Sequence, residues 1–164
     1  MLYTEEQLSL KKTISDFMKG EIVPIMAECD RTGVLPQDAI RKGFDMGFHL
    51  LEIPEEYGGF GASDLAVKVV LQNGTEEQKR YFTDLIAPGR LAAFCLTEPQ
   101  AGSDAAAVRT TAVKDGDSYI LNGTKCFITN GGVADVFVII AVTDKSKGVK
   151  GLSAFLVERD MGVK

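Results

Sequence analysis

The sequence has no tryptophan, one histidine and three cysteines among its 164 residues. Each scarcity narrows the chemistry. Cys29, Cys95 and Cys126 are scattered and form no CxxC pair, so reduced thiols in a cytoplasmic setting are expected, rather than a disulfide framework or a thiolate metal site. A triad that pairs a nucleophile with histidine would have to use His49, to which no chemical role is assigned. No apolar run approaches the roughly 18 residues that suggest a membrane span. The opening MLYTEEQLSLKK lacks the apolar stretch of a secretory signal. Positive charge is also short: 18 Lys and Arg face 23 Asp and Glu, a formal net charge of −5, which argues against a nucleic-acid partner. What remains is ordinary, 45% hydrophobic and 25% charged, enough for a buried core.

The two halves follow different periods. Thr4-Glu5-Glu6-Gln7 has the grammar of a capping box, and Leu10, Ile14, Phe17, Met18 and Ile22 recur at helical spacing behind it. Pro24 predicts a kink or a fresh helix. Pro36 starts a short helix that Gly47 stops. Leu50 to Pro54 reads as extended and Glu55 to Gly61 as a loop. Ser63-Asp64 would cap a helix to about Gln72, and Thr75-Glu76-Glu77-Gln78 opens another. Beyond Pro88-Gly89 the period becomes two. Val136, Val138, Ile140 and Val142 alternate with Phe137, Ile139 and Ala141, the pattern of a strand covered on both faces. VRTTAVK, SYIL, TKCFIT and LSAFLVE read as further strands, with Asp115-Gly116 and Asn122-Gly123 as hairpin punctuation. The expected class is α+β: a helical domain over residues 1–89, then an antiparallel β-sandwich or barrel over 90–164.

Two stretches stand out. AAFCLTEPQAGSD, residues 92–104, runs as an apolar strand into a small-residue loop. In one reading Pro99 simply stops the ladder. In the other, freed backbone N–H groups, the Thr97 hydroxyl and Gly102-Ser103 let the chain approach phosphate oxygens, with Asp104 as a cap for the next element. KCFITNGG, residues 125–132, has the same grammar: Phe127 is either core or an aromatic face for a planar ligand, and Thr129 a hydrogen-bonding partner. Gly59-Phe60-Gly61 lacks the third glycine of a dinucleotide fingerprint and is assigned to a loop. The basic run Lys145 to Lys150 reads as a solvated hairpin tip or as a contact for a phosphate tail.

Together, FCLTEPQAGSD and LNGTKCFITNGG closely resemble the flavin-binding signature of acyl-CoA dehydrogenases, the short-chain, butyryl-CoA type above others. IPEEYGGFGASDL, GTEEQKRYF and TDKSKGVKGLSAFLVE agree in order, so the resemblance covers nearly the whole chain. It implies an N-terminal helical domain, a middle β-domain, and FAD bound with its isoalloxazine ring between that β-domain and a C-terminal helical domain. It implies cofactor contacts at Phe94, Leu96, Thr97, Gly102, Ser103, Phe127 and Thr129: Leu96 backbone and Thr97 hydroxyl at the pyrimidine side, Gly102 and Ser103 at the pyrophosphate, Phe127 on the ring face, Thr129 near N5. Phe94 and Ser103 would also meet the acyl-CoA. The reaction implied is α,β-dehydrogenation, with a carboxylate base taking the α-proton and hydride passing to flavin N5. The partners implied are an acyl-CoA, an electron-transfer flavoprotein and, as in full-length relatives, further copies of the chain.

The sequence departs from that pattern twice. Residues 1–164 do not include the C-terminal domain that holds the family's catalytic glutamate, so no catalytic residue is assigned, and Glu98 is a poor substitute. Between Leu65 and Gly74 the helical domain looks shortened, by on the order of 30 residues, about two helices of common length. A truncated member that binds FAD or CoA without turnover, or a degenerate product, is the alternative expectation.

Overall fold

The computed structural model describes residues 4–48, 51 and 65–164. These fall into two compact units, Met1–His49 and Leu50–Lys164. His49, most of the stretch read as extended over 50–54, the loop expected over 55–61 and the Ser63-Asp64 cap lie outside the described residues.

In the first unit, helix α1 (Glu5–Phe17) starts with the predicted capping box. The Thr4 hydroxyl accepts from the Gln7 amide, and the Gln7 side chain accepts from Thr4 N–H. The helix then widens into a π turn at Met18–Ile22 and tightens into a 3-10 turn at Val23–Ile25. Pro24 thus gives way to a new helix, α2 (Met26–Thr32), ended by Gly33 at φ 68°. Helix α3 (Gln37–Asp45) follows Pro36, and Gly47 stops it at φ 78°. The unit is held by an edge-on pair of the Phe17 and Phe48 rings, 5.0 Å between centroids, and by a Lys42–Glu21 ion pair of 2.6 Å. Gly43 lies under the Phe17 and Phe48 rings, where a Cβ would be 3.5 Å from the nearer one.

In the second unit, helices α4 (Leu65–Asn73) and α5 (Glu76–Ile86) precede five strands: β1 (Ala92–Cys95), β2 (Thr111–Asp115), β3 (Ser118–Asn122), β4 (Val136–Val142) and β5 (Leu152–Glu158). Thr75 and Gln78 make a second reciprocal capping box at the start of α5. Strand β4 organises the sheet. Antiparallel β5 takes one edge along its full length, while β1 and the start of β2 share the other. As the alternation predicts, β4 is covered on both faces. Val136 and Val138 pack with Ala66, Val67 and Val70 of α4 and Phe82 and Ile86 of α5. On the opposite face Phe137 packs with Ala93, Cys95 and Ala134. Each large apolar side chain so removed from water stabilises the fold by roughly 1.5–3 kcal/mol.

Three details differ from the sequence reading. The sheet is mixed: β2–β3 and β4–β5 are antiparallel, but β1 and β4 are parallel, because the long connection over 96–135 returns the chain before β4 begins. TKCFIT is not a strand. Phe127 at φ 55° and Asn130 at φ 64° turn the backbone out of any ladder, and hydrogen bonds from Lys125 and Cys126 to residues 96–98 fix the segment instead. The hairpin expected at Asp115-Gly116 does form between β2 and β3, with Gly116 and Asp117 as its two turn residues and Gly116 at φ 58°. Asn122-Gly123 makes none. Gly123 is needed for close approach, since a Cβ there would lie 2.2 Å from Thr110 Oγ1.

Candidate functional site

The loop after β1 and the irregular segment after β3 meet at the C-terminal end of β1. The Cys126 N–H donates to Thr97 O at 2.9 Å. The Lys125 ammonium donates to Leu96 O at 2.9 Å and to Glu98 Oε1 at 2.8 Å. The two stretches that the sequence singles out are thus tied side by side.

Glu98 is the centre of the knot; the sequence reading named it only as a poor substitute for the base. Its carboxylate is 3% exposed. It accepts from the amides of Arg109 (2.7 Å) and Thr110 (2.9 Å), from the Thr110 hydroxyl (2.5 Å), from the Gln100 amide and from Lys125. Burial pushes its pKa up; the bonds from Lys125, Thr110 and the two amides outweigh burial and bring it from 4.5 to about 2. A carboxylate so engaged is a fixed anion and not a proton acceptor at neutral pH. The one local signal for it is a charge between an apolar strand and a proline; its partners lie far along the chain.

Backbone bonds between Glu98 and Ala101 fold the loop back on itself, and Asp104 caps the short 3-10 turn Ala105–Ala107 by accepting from the Ala106 amide. Gly102 and Ser103 sit exposed at this bend, and a Cβ on Gly102 would meet nothing within 4 Å. Leu96 and Thr97 are half-buried. Phe94 is half-buried too and packs against the cluster beneath α4 and α5. Thr129 is exposed. Phe127 is 94% exposed, an aromatic ring held outward by a left-handed backbone that a residue with a Cβ seldom adopts. The structure therefore brings Leu96 and Thr97 beside the 125–129 segment, leaves Gly102 and Ser103 on the open bend, and turns Phe94 toward the helices. The basic run Lys145 to Lys150 is exposed, in 3-10 turns broken at Gly148 between β4 and β5 and capped by Asp144, while Gly151 behind it is buried.

The described surface thus offers an exposed aromatic ring at Phe127, an exposed hydroxyl at Thr129 and an open bend at Gly102-Ser103. Among the described residues there is no cluster of three or more metal-ligating side chains, and no helix is long and apolar enough to cross a membrane.

The family models decide the ancestry. Residues 4–66 match the acyl-CoA dehydrogenase N-terminal domain and residues 93–164 the acyl-CoA dehydrogenase middle domain. The chain belongs to the acyl-CoA dehydrogenase family. The short-chain specific acyl-CoA dehydrogenase of Clostridium acetobutylicum is 38% identical over 183 aligned positions, covering 95% of this chain and 48% of that protein. The alignment is longer than the chain itself, so that relative holds residues with no counterpart here. The structure of butyryl-CoA dehydrogenase from Megasphaera elsdenii superposes with a TM-score of 0.87 at 34% identity, over 99% of this chain and 50% of that one. A glutaryl-CoA dehydrogenase from Mycobacterium smegmatis, in complex with FADH2, gives a TM-score of 0.81 at 29% identity, over 96% of this chain and 46% of that one. The chain spans about half the length of the curated relatives it matches.

Proposed function

We propose that this chain provides the FAD platform of a short-chain acyl-CoA dehydrogenase. The observation that carries the reading is the tie of Lys125 and Cys126 to Leu96, Thr97 and Glu98, with the outward Phe127 ring next along the chain. Bound there, FAD would supply the hydride acceptor for α,β-dehydrogenation of the thioester. The chain's own part is binding and orientation. The Phe127 ring would stack on the flavin, the Leu96 backbone and the Thr97 and Thr129 hydroxyls would hydrogen-bond its polar edge, and the Gly102 and Ser103 backbone would meet phosphate. Phe94 and Ser103 would border the acyl-CoA.

Proton removal requires a carboxylate, and Glu98 is not available for it. We assign no base among residues 1–164. Binding without turnover is the reading that the engaged state of Glu98 favours for these residues alone. In the whole assembly we assign an electron-transfer flavoprotein as acceptor, a homo-oligomer as the working form, and a cytoplasmic setting that suits three unpaired cysteines. We read 1–89 as the helical domain and 90–164 as the β-domain of this scheme.

The test is an absorbance spectrum of the chain after mixing with FAD and desalting, repeated after adding butyryl-CoA. Retained flavin bands support the platform. Bleaching by butyryl-CoA would mean that the chain completes a base and pocket, contrary to the binding-only reading. Loss of all flavin on desalting refutes the platform for this chain.

A further inference from the structure

The Phe127–Asn130 segment has two left-handed residues and an exposed aromatic ring, yet no strand pairing. Such a backbone persists where its surroundings over-determine it. Lys125 and the Cys126 amide hold its leading end through Leu96, Thr97 and Glu98. Its trailing end is held by Arg159, just past β5. The Arg159 Nε donates to Ala134 O at 2.7 Å, and Nη2 donates to Gly131 O at 3.1 Å. The guanidinium also lies 5.2 Å from the centroid of the buried Phe137 ring. Within the turn, Gly131 N–H bonds Ile128 O, and the Val133 and Ala134 amides both bond Asn130 O. The Asn130 side chain reaches back to Ala92 O at 3.3 Å, the first residue of β1.

The planar fork of Arg159 spans two carbonyls of one turn, a geometry that a lysine cannot reproduce. The cation–π contact on Phe137 fixes the fork to the start of β4. We infer that Arg159 is a positioning residue for the flavin platform: it clamps the 131–134 turn and thereby holds Phe127 outward, in the pose that receives the ring. The inference rests on the FAD reading above for its purpose, and on the hydrogen bonds alone for the clamp. It places a determinant of cofactor binding outside both flavin motifs.

Arg159→Leu and Arg159→Lys in the full 164-residue chain test it, with two readouts. The first is amide hydrogen exchange without FAD. Exchange at Gly131, Val133 and Ala134 should rise by about tenfold or more in Arg159→Leu while β4 amides stay protected, with Arg159→Lys between. The second is FAD affinity, measured alone and in a Phe127→Ala background. The dissociation constant should rise roughly ten- to hundredfold, the range met when an outer partner of a binding group is lost. Without Phe127, Arg159→Leu should weaken binding much less, because the clamp acts through that ring. Unchanged exchange, unchanged affinity in a chain that binds FAD, or effects that simply multiply in the double variant would overturn the inference. If the wild-type chain holds no FAD, the platform reading fails, and the exchange result alone decides the clamp. Should Arg159→Leu not fold, Arg159→Lys decides by the same readouts.

Discussion

Acid should unlock the Glu98 knot, and the size of the effect can be worked from its partners. In the folded chain the carboxyl sits near 2, against 4.5 for a free one. A shift of that size corresponds to about 3 kcal/mol, at roughly 1.4 kcal/mol per pH unit. The sign follows from the depressed value. The stabilisation is complete above about pH 4.5, where the unfolded carboxyl is also ionised, and is lost as pH falls through about 2. Urea unfolding of the chain at steps between pH 6 and pH 2 should therefore show a stability decline of which about 3 kcal/mol belongs to Glu98. Glu98→Gln should be less stable at pH 6, because an amide NH2 now faces donors, and its stability should fall less steeply toward pH 2. Lys125→Met should cost about 3–5 kcal/mol by leaving the buried carboxylate uncompensated. The pair Glu98→Gln with Lys125→Met should lose less than the sum of the singles, since the two share one interaction. A Glu98→Gln chain with the same acid slope as wild type would refute the reasoning, and so would strictly additive losses.

Other outcomes rest on single contacts. Gly123→Ala forces a Cβ onto Thr110 and should destabilise by about 1–3 kcal/mol in urea unfolding, as overpacking does. Thr75→Ala removes the hydroxyl that caps α5 and should lower stability by about 1 kcal/mol by the same assay, with no change in FAD affinity. Burial raises the Cys95 thiol to about 11, so Ellman's reagent at pH 8 should titrate Cys29 and Cys126 in the native chain and reach Cys95 only on unfolding.

The sequence discloses features that local pattern controls. Both capping boxes involve residues three apart, and the two-sided burial of β4 is written in an unbroken apolar run, so each is legible from the residues alone. The parallel pairing of β1 with β4 is not, because it depends on where residues 96–135 deliver the chain. TKCFIT has the composition of a strand, but Lys125 bonds Leu96 and Glu98, while Arg159 bonds Gly131, and these long-range partners impose an irregular path that period-two reading cannot see. Glu98 shows the same limit. As a lone acid beside Pro99 it reads as a loop residue, and only the arrival of Arg109, Thr110 and Lys125 makes it the fastening of the site. The cofactor motifs are readable through resemblance, whereas the residues that hold them in place come from geometry.

The central claim is that 96–104 and 127–129 form one surface for FAD. Its most direct test is an FAD titration followed by amide NMR on the labelled chain. The signals of Leu96, Thr97, Gly102, Ser103, Phe127 and Thr129 are expected to move together along one saturating curve. Binding that shifts amides elsewhere and leaves these six in place, or no shift at saturating FAD, would contradict the claim.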